Sequence, residues 1–114
     1  MRLARLLQVA GVDAIDCSSG GLVPQEQIRS YPGYQVPLAE RVRRESGVKT
    51  VAVGLIREPA LAEEIIANHR ADLVAVGRGS LWDPYWPIHA EKTLRGRADL
   101  PVQYARADVT ESKK

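Results

Sequence analysis

A chain of 114 residues, 45% hydrophobic and 26% charged, has the composition of one ordinary globular domain or a piece of a larger one, which argues against disorder. Its net charge of +2 is too small to imply a nucleic-acid partner, and a lone cysteine, Cys17, excludes an intrachain disulfide and a four-cysteine zinc site. No stretch reaches the roughly 18 apolar residues that span a membrane, and the cysteine usage is compatible with a reducing, cytoplasmic setting.

Leu3, Leu6, Leu7 and Ala10 recur at helical spacing from Arg2 to Val9, and Gly11 stops the run. The run is too short for a signal peptide. No capping residue precedes it, which suggests that Met1 is not a true start. Val12 to Cys17 alternates apolar and acidic residues and meets Ser18-Ser19-Gly20-Gly21, the pattern of a strand and a loop. Leu22 to Val36 is a loop of about fifteen residues, a length often tied to function. Tyr31-Pro32-Gly33-Tyr34 gives it a turn and two rings. Pro37 opens a helix to about Glu45, ended by Ser46-Gly47.

Lys49 to Gly54 reads as the next strand. Pro59 opens a helix with Leu61, Ala62, Ile65 and Ile66 on one side, fading at Asn68-His69-Arg70. Asp72 to Gly77 is a third strand, followed directly by Arg78. Ser80 to Pro84 reads as a short helical turn and Pro87 to Leu94 as a helix. From Pro101 the chain shows no periodicity, and Thr110 to Lys114 is expected to fray. The order is that of an α/β protein with parallel strands, buried on both faces. A closed (β/α)8 barrel needs about 200 residues or more, so three strands make either an open sheet or an arc of a larger barrel.

Two strands organise the chain, because each is an apolar run stopped by glycine. Gly54 and Gly77 lie 23 positions apart, the length of one strand-helix unit. Both sit at the carboxyl ends of their strands, where α/β folds place ligands. A glycine lets backbone approach a phosphate closely. Arg78 adds charge-assisted bonds. Gly54, Gly77 and Arg78 therefore read as half of a phosphate-binding site, against the plainer reading of turn glycines and a surface salt bridge.

Other residues favour plainer readings. Cys17 reads as a small core hydrophobe, and Ser18 and Ser19 as a polar turn. His69 and His89 read as surface or packing residues, and Trp82, Tyr85 and Trp86 as a packing cluster for the last helix. The arginines in 41–44 and 95–97 read as solvated helix faces. No catalytic acid–base pair and no metal-ligand set emerges.

Six strings taken together resemble one family. They are Asp16-Cys17-Ser18-Ser19-Gly20-Gly21, Tyr31-Pro32-Gly33-Tyr34-Gln35-Val36, Ala52-Val53-Gly54-Leu55-Ile56, the run from Arg70 to Arg78, Asp83-Pro84, and Pro101-Val102-Gln103-Tyr104. The resemblance is to the old yellow enzyme family of FMN-dependent ene-reductases and NAD(P)H:flavin oxidoreductases, closest to its thermophilic-like branch. It runs from about Leu3 to Arg106.

The resemblance implies a partial (β/α)8 TIM barrel, about strands six to eight, with residues 1–100 as the carboxyl-terminal part of the barrel and 101–114 as a tail. It implies that Gly54, Gly77 and Arg78 hold the FMN phosphate. Arg106, in Gln103-Tyr104-Ala105-Arg106, would reach the active site of a neighbouring subunit, although this chain continues eight residues beyond it. The family's substrate-binding histidines, proton-donating tyrosine and flavin-tuning residues lie upstream of the matching segment, and His69 and His89 do not correspond to them. The implied activity is hydride transfer from NAD(P)H through FMN to an activated alkene, with this chain inactive alone. The expected partners are FMN and either the missing amino-terminal barrel portion or other copies of the chain, since intact family members form homo-oligomers. The alternatives are a stand-alone phosphate- or nucleotide-binding half-barrel and a nonfunctional gene remnant.

Overall fold

A computed structural model describes residues 1–107. Its elements in chain order are α1 (Arg2–Val9), β1 (Ala14–Cys17), α2 (Val36–Ser46), β2 (Lys49–Ala52), α3 (Pro59–Ala67), β3 (Leu73–Val74), α4 (Arg78–Trp82), α5 (Trp86–Arg95) and a 3-10 helix (Val102–Ala107). The strands form one parallel sheet in the order β1-β2-β3. Ala14 to Cys17 pair with Lys49 to Ala52, and Val51 and Ala52 pair with Leu73 and Val74. This is the mixed α/β architecture expected, and a three-strand parallel sheet is compatible with an arc of a barrel.

Several boundaries move for local reasons. The Val12 N–H donates to the Leu7 carbonyl at 3.0 Å, so Val12 closes α1 and β1 begins later. β2 stops at Ala52 because the Gly54 carbonyl accepts the Gly33 N–H at 2.7 Å, tying the strand exit to the long loop. β3 is an edge strand, and after the Ala75 N–H donates to Ala52 at 2.8 Å the chain turns into α4. α4 begins at Arg78 rather than Ser80, since the Ser80 and Leu81 N–H groups both donate to the Gly77 carbonyl. It ends before Pro84, which forces Asp83 into an extended conformation. The aperiodic tail contains a 3-10 helix, whose local bonds require no apolar stripe. The expected fraying at 110–114 lies outside the described residues.

The core lies on one face of the sheet. Cys17, Val36, Ala39, Ala52, Ile56, Ala62, Ile65 and Ala71 pack together where α2 and α3 cover the strands. The opposite face is open, which corrects the expectation of burial on both faces. Alternation sends Ile15, Cys17, Thr50 and Ala52 toward the helices, and Ala14, Asp16, Val51 and Leu73 the other way. Leu73 is 59% exposed. Among the described residues no further element covers that side. The radius of gyration is 17.3 Å, against about 13 Å for a compact domain of 100 residues.

Polar latches hold the layers. Arg70 bonds Glu40 of α2 and Glu64 of α3, each at 3.0 Å. Asp72 accepts the Arg43 guanidinium at 3.1 Å and the Thr50 N–H at 2.9 Å. Burial opposes its ionisation, but those two donors and Lys49 outweigh it and hold the carboxyl below its ordinary value. Arg41–Glu45 and Arg95–Glu91 are exposed pairs one helical turn apart, as a solvated face requires.

Candidate functional site

The exits of β2 and β3 open into a single cleft of about 340 Å³, bordered by Tyr34, Gly54, Leu55, Arg57, Gly77 and Arg78. Gly54, Gly77 and Arg78 are thus brought together, although they come from two different loops. Parallel strands place successive carboxyl ends side by side, and this geometry makes one site from residues 23 positions apart.

The two glycines are there for different reasons. Gly54 is buried with φ +129°, and a Cβ on it would lie 3.1 Å from the Tyr34 ring and 3.2 Å from the Gln35 nitrogen. The fold itself demands glycine at that position. Leu55, next in the turn, holds φ +52°, an uncommon conformation for a residue with a side chain. Gly77 is exposed, has a negative φ of −84°, and a Cβ on it would meet nothing within 4 Å. Packing does not demand glycine there. What its missing side chain leaves is open space in the cleft.

Arg78 is the first residue of α4 and is exposed. Its guanidinium forms no ion pair or hydrogen bond among the described residues. The first-turn N–H groups of Arg78 and Gly79 have no acceptor within their own helix.

Arg106 is placed elsewhere. It is exposed on the 3-10 helix and does not border the cleft. That helix docks through Tyr104, whose ring centroid lies 6.4 Å from that of Tyr85.

Tyr34, one of the two rings noted on the long loop, borders the cleft, while Gln35, Arg57 and Gly79 were not singled out as site residues by the sequence reading. Gln35 is buried, and its side-chain carbonyl accepts both the N–H and the hydroxyl of Ser19. Ser19 is therefore spent in a polar turn. Arg57 lies three residues after Gly54, and the logic that singled out Arg78 beside Gly77 applies to it as well. Gly79 is buried, and a Cβ there would come within 2.7 Å of Val76. Only contact across loops identifies Gln35 and assigns Tyr34 to this cleft.

The plainer readings hold for the remaining candidates. Cys17 is buried in the core, where burial and then the Asp16 charge push its thiol pKa up, so it is not an activated nucleophile. His89 Nδ1 lies 2.6 Å from Asp83 Oδ2 on the surface, and this bond holds the Asp83 carboxyl below its ordinary value. The His69 carbonyl accepts from Arg43 at 3.1 Å. Neither histidine borders the cleft. The aromatic cluster divides: Trp86 packs on the core, Tyr85 meets His89 and Tyr104, and Trp82 is 90% exposed. Among the described residues no group of His, Cys, Asp or Glu is placed to hold a metal ion, and no helix is long and apolar enough to cross a membrane.

The lining includes Arg57 and Arg78, the glycines Gly54, Gly77 and Gly79, and apolar residues. A compact anion of phosphate size matches that lining.

The model of the NADH:flavin oxidoreductase / NADH oxidase family matches residues 2–97. The NADPH dehydrogenase of Geobacillus thermodenitrificans is 55% identical over 96 residues, which cover 84% of this chain and 28% of that protein. The NADPH dehydrogenase of Halalkalibacterium halodurans is 51% identical over 105 residues, covering 92% and 31%. That of Bacillus subtilis is 47% identical over 103 residues, covering 90% and 30%. The chain spans less than a third of the length of these curated relatives. With the family's model matching nearly the whole of the folded part, this chain belongs to the NADH:flavin oxidoreductase / NADH oxidase family.

Proposed function

We propose that this chain forms the phosphate-holding end of the FMN site in an NAD(P)H-dependent flavin oxidoreductase of the old yellow enzyme type. In this reading residues 1–100 are the carboxyl-terminal part of a (β/α)8 barrel, about strands six to eight, and 101–114 are its tail. Gly77 leaves room for the phosphate, Arg78 binds its oxygens, and Gly54 shapes the facing wall. Arg106, exposed on the tail helix, serves the site of a neighbouring subunit. When bound, the flavin carries hydride from NAD(P)H to an activated alkene. The setting is cytoplasmic.

One observation carries the reading most. Gly77 has no side chain where packing would accept one, directly beside an arginine with no carboxylate partner among the described residues. Ligand approach accounts for the two features occurring side by side at a strand exit. The family membership supplies the ligand. The open sheet face and the elongated shape favour completion by the remaining barrel, on the same or another chain, or by further copies.

The test is size-exclusion chromatography of the purified chain with FMN, followed by an assay of NADPH oxidation. Flavin absorbance should travel with the protein and be lost in Arg78→Gln. The chain alone should not oxidise NADPH. Co-expression with the amino-terminal portion of the Geobacillus thermodenitrificans relative should restore oxidation. Retention of phosphate ligands with no preference for FMN would instead favour a stand-alone phosphate-binding half-barrel. Oxidation of NADPH by the chain alone would refute the proposal that it is incomplete.

A further inference from the structure

Arg57 lies in the loop after β2 and borders the same cleft as Arg78. Both arginines also border two adjoining hollows, one with Leu81 and Trp82 and the other with Pro32 and Leu61. Wherever the cleft extends, the two arginines border it together.

Arginines of this chain are not all neutralised. Arg41, Arg43, Arg70 and Arg95 each meet a carboxylate within 3.1 Å. Arg57 and Arg78 meet none among the described residues, and Arg2, Arg5, Arg29, Arg44, Arg97 and Arg106 also lack a carboxylate partner there. The position of Arg57 is set by its surroundings. Its carbonyl accepts the Trp86 indole N–H at 2.6 Å. Its stem runs over α4, with Cγ 3.7 Å from where a Cβ of Gly79 would stand. Packing thus holds the backbone and stem of Arg57 beside the cleft that Arg78 also borders. Like charges in proximity are unfavourable, and an anion between them removes the cost.

We propose that Arg57 is a second phosphate-binding residue, which with Arg78 makes a two-arginine clamp for the dianion of a terminal phosphomonoester. The proposal rests on the phosphate reading of the cleft and adds a residue and a selectivity to it. A terminal monoester carries up to two charges on one phosphorus, enough for both guanidiniums. The internal phosphates of a dinucleotide carry one charge each and fit the clamp less well. The clamp therefore favours FMN over FAD and over riboflavin.

The experiment measures binding of FMN, FAD, riboflavin and inorganic phosphate to the full chain and to Arg57→Gln, Arg57→Lys and Arg78→Gln, with circular dichroism as the check on folding. Arg57→Gln should bind FMN about tenfold more weakly than the unaltered chain, leave riboflavin unchanged, and show a shallower salt dependence. Arg57→Lys keeps the charge without the fork, so it should fall between them. FMN affinity within twofold of the unaltered chain for Arg57→Gln, beside a large loss for Arg78→Gln, would overturn the clamp while leaving the phosphate site standing. If the unaltered chain binds FMN no better than riboflavin and ignores inorganic phosphate, the phosphate reading falls, and the clamp with it.

Discussion

Thr50 and Asp72 exchange two hydrogen bonds: the Thr50 N–H donates to Asp72 Oδ2 at 2.9 Å, and the Asp72 N–H donates to the Thr50 carbonyl at 2.9 Å. The pair fixes the entry of β3 against β2, and so sets how far apart the two strand exits stand. Arg43 adds a third contact from α2. The cleft at one end of the sheet is aligned by a carboxylate at the other.

That carboxylate makes stability depend on acid. Its pKa is lowered on folding from an ordinary 3.8, so between the two values the unfolded chain binds more protons than the native one. Stability is then fully present above about pH 4 and is lost as pH falls through the lower native pKa. Asp72→Asn should cost about 1–2 kcal/mol at neutral pH, discounted for partial exposure, and flatten the acid limb. Urea unfolding across pH 2–6 reads both effects; an unchanged acid limb in the variant would refute the assignment.

Thr50 carries a second prediction. Its side chain is fully buried and its hydroxyl has no hydrogen-bond partner among the described residues. An unpaired buried hydroxyl is a cost that valine, of similar shape, would not bear. Thr50→Val should therefore raise stability by about 1 kcal/mol in chemical denaturation. A loss of stability would mean that the hydroxyl is satisfied in solution.

Gly54 and Gly77 should respond to different degrees. Gly54→Ala forces a side chain into φ +129° and against Tyr34, and should destabilise the chain by about 1–3 kcal/mol. Gly77→Ala meets open space at a negative φ, and should cost well under ~1 kcal/mol, far less than Gly54→Ala. Calorimetry of the two variants side by side separates a glycine kept for the fold from one that is not.

If the cleft takes the FMN phosphate, Gly77→Val should weaken FMN binding about tenfold or more without a matching loss of stability, because its side chain occupies the space left for the ligand. Fluorescence titration with FMN and riboflavin checks this. Equal loss for both flavins would point to a general disturbance of the loop instead.

Much of the fold was legible. Helices α1, α2, α3 and α5 declared themselves by spaced leucines, isoleucines and valines, α2, α3 and α5 also by Pro37, Pro59 and Pro87 in their first turns, and α1, α2 and α5 by Gly11, Gly47 and Gly96 just past their ends. Gly54, Gly77 and Arg78 stood out because strand, glycine and cation are adjacent in sequence. Arg57 did not, because its relevance depends on a second loop that packs beside it. Tyr34 and Gln35 come from a loop whose path is set by the Gly33–Gly54 hydrogen bond, and no periodicity records such a bond.

The sequence by itself determined the alternation of helices and strands, the parallel sheet that follows from it, and the family, since all of these rest on local propensity, turn residues and contiguous strings. Only the tertiary structure decided which face of the sheet is covered and which two loops meet. It also separated the glycine that packing requires from the one that it does not. Those outcomes depend on contacts between residues far apart in the chain. Such contacts arise from packing α2 and α3 onto one side of three strands, where long-range geometry rather than any single stretch sets the distances.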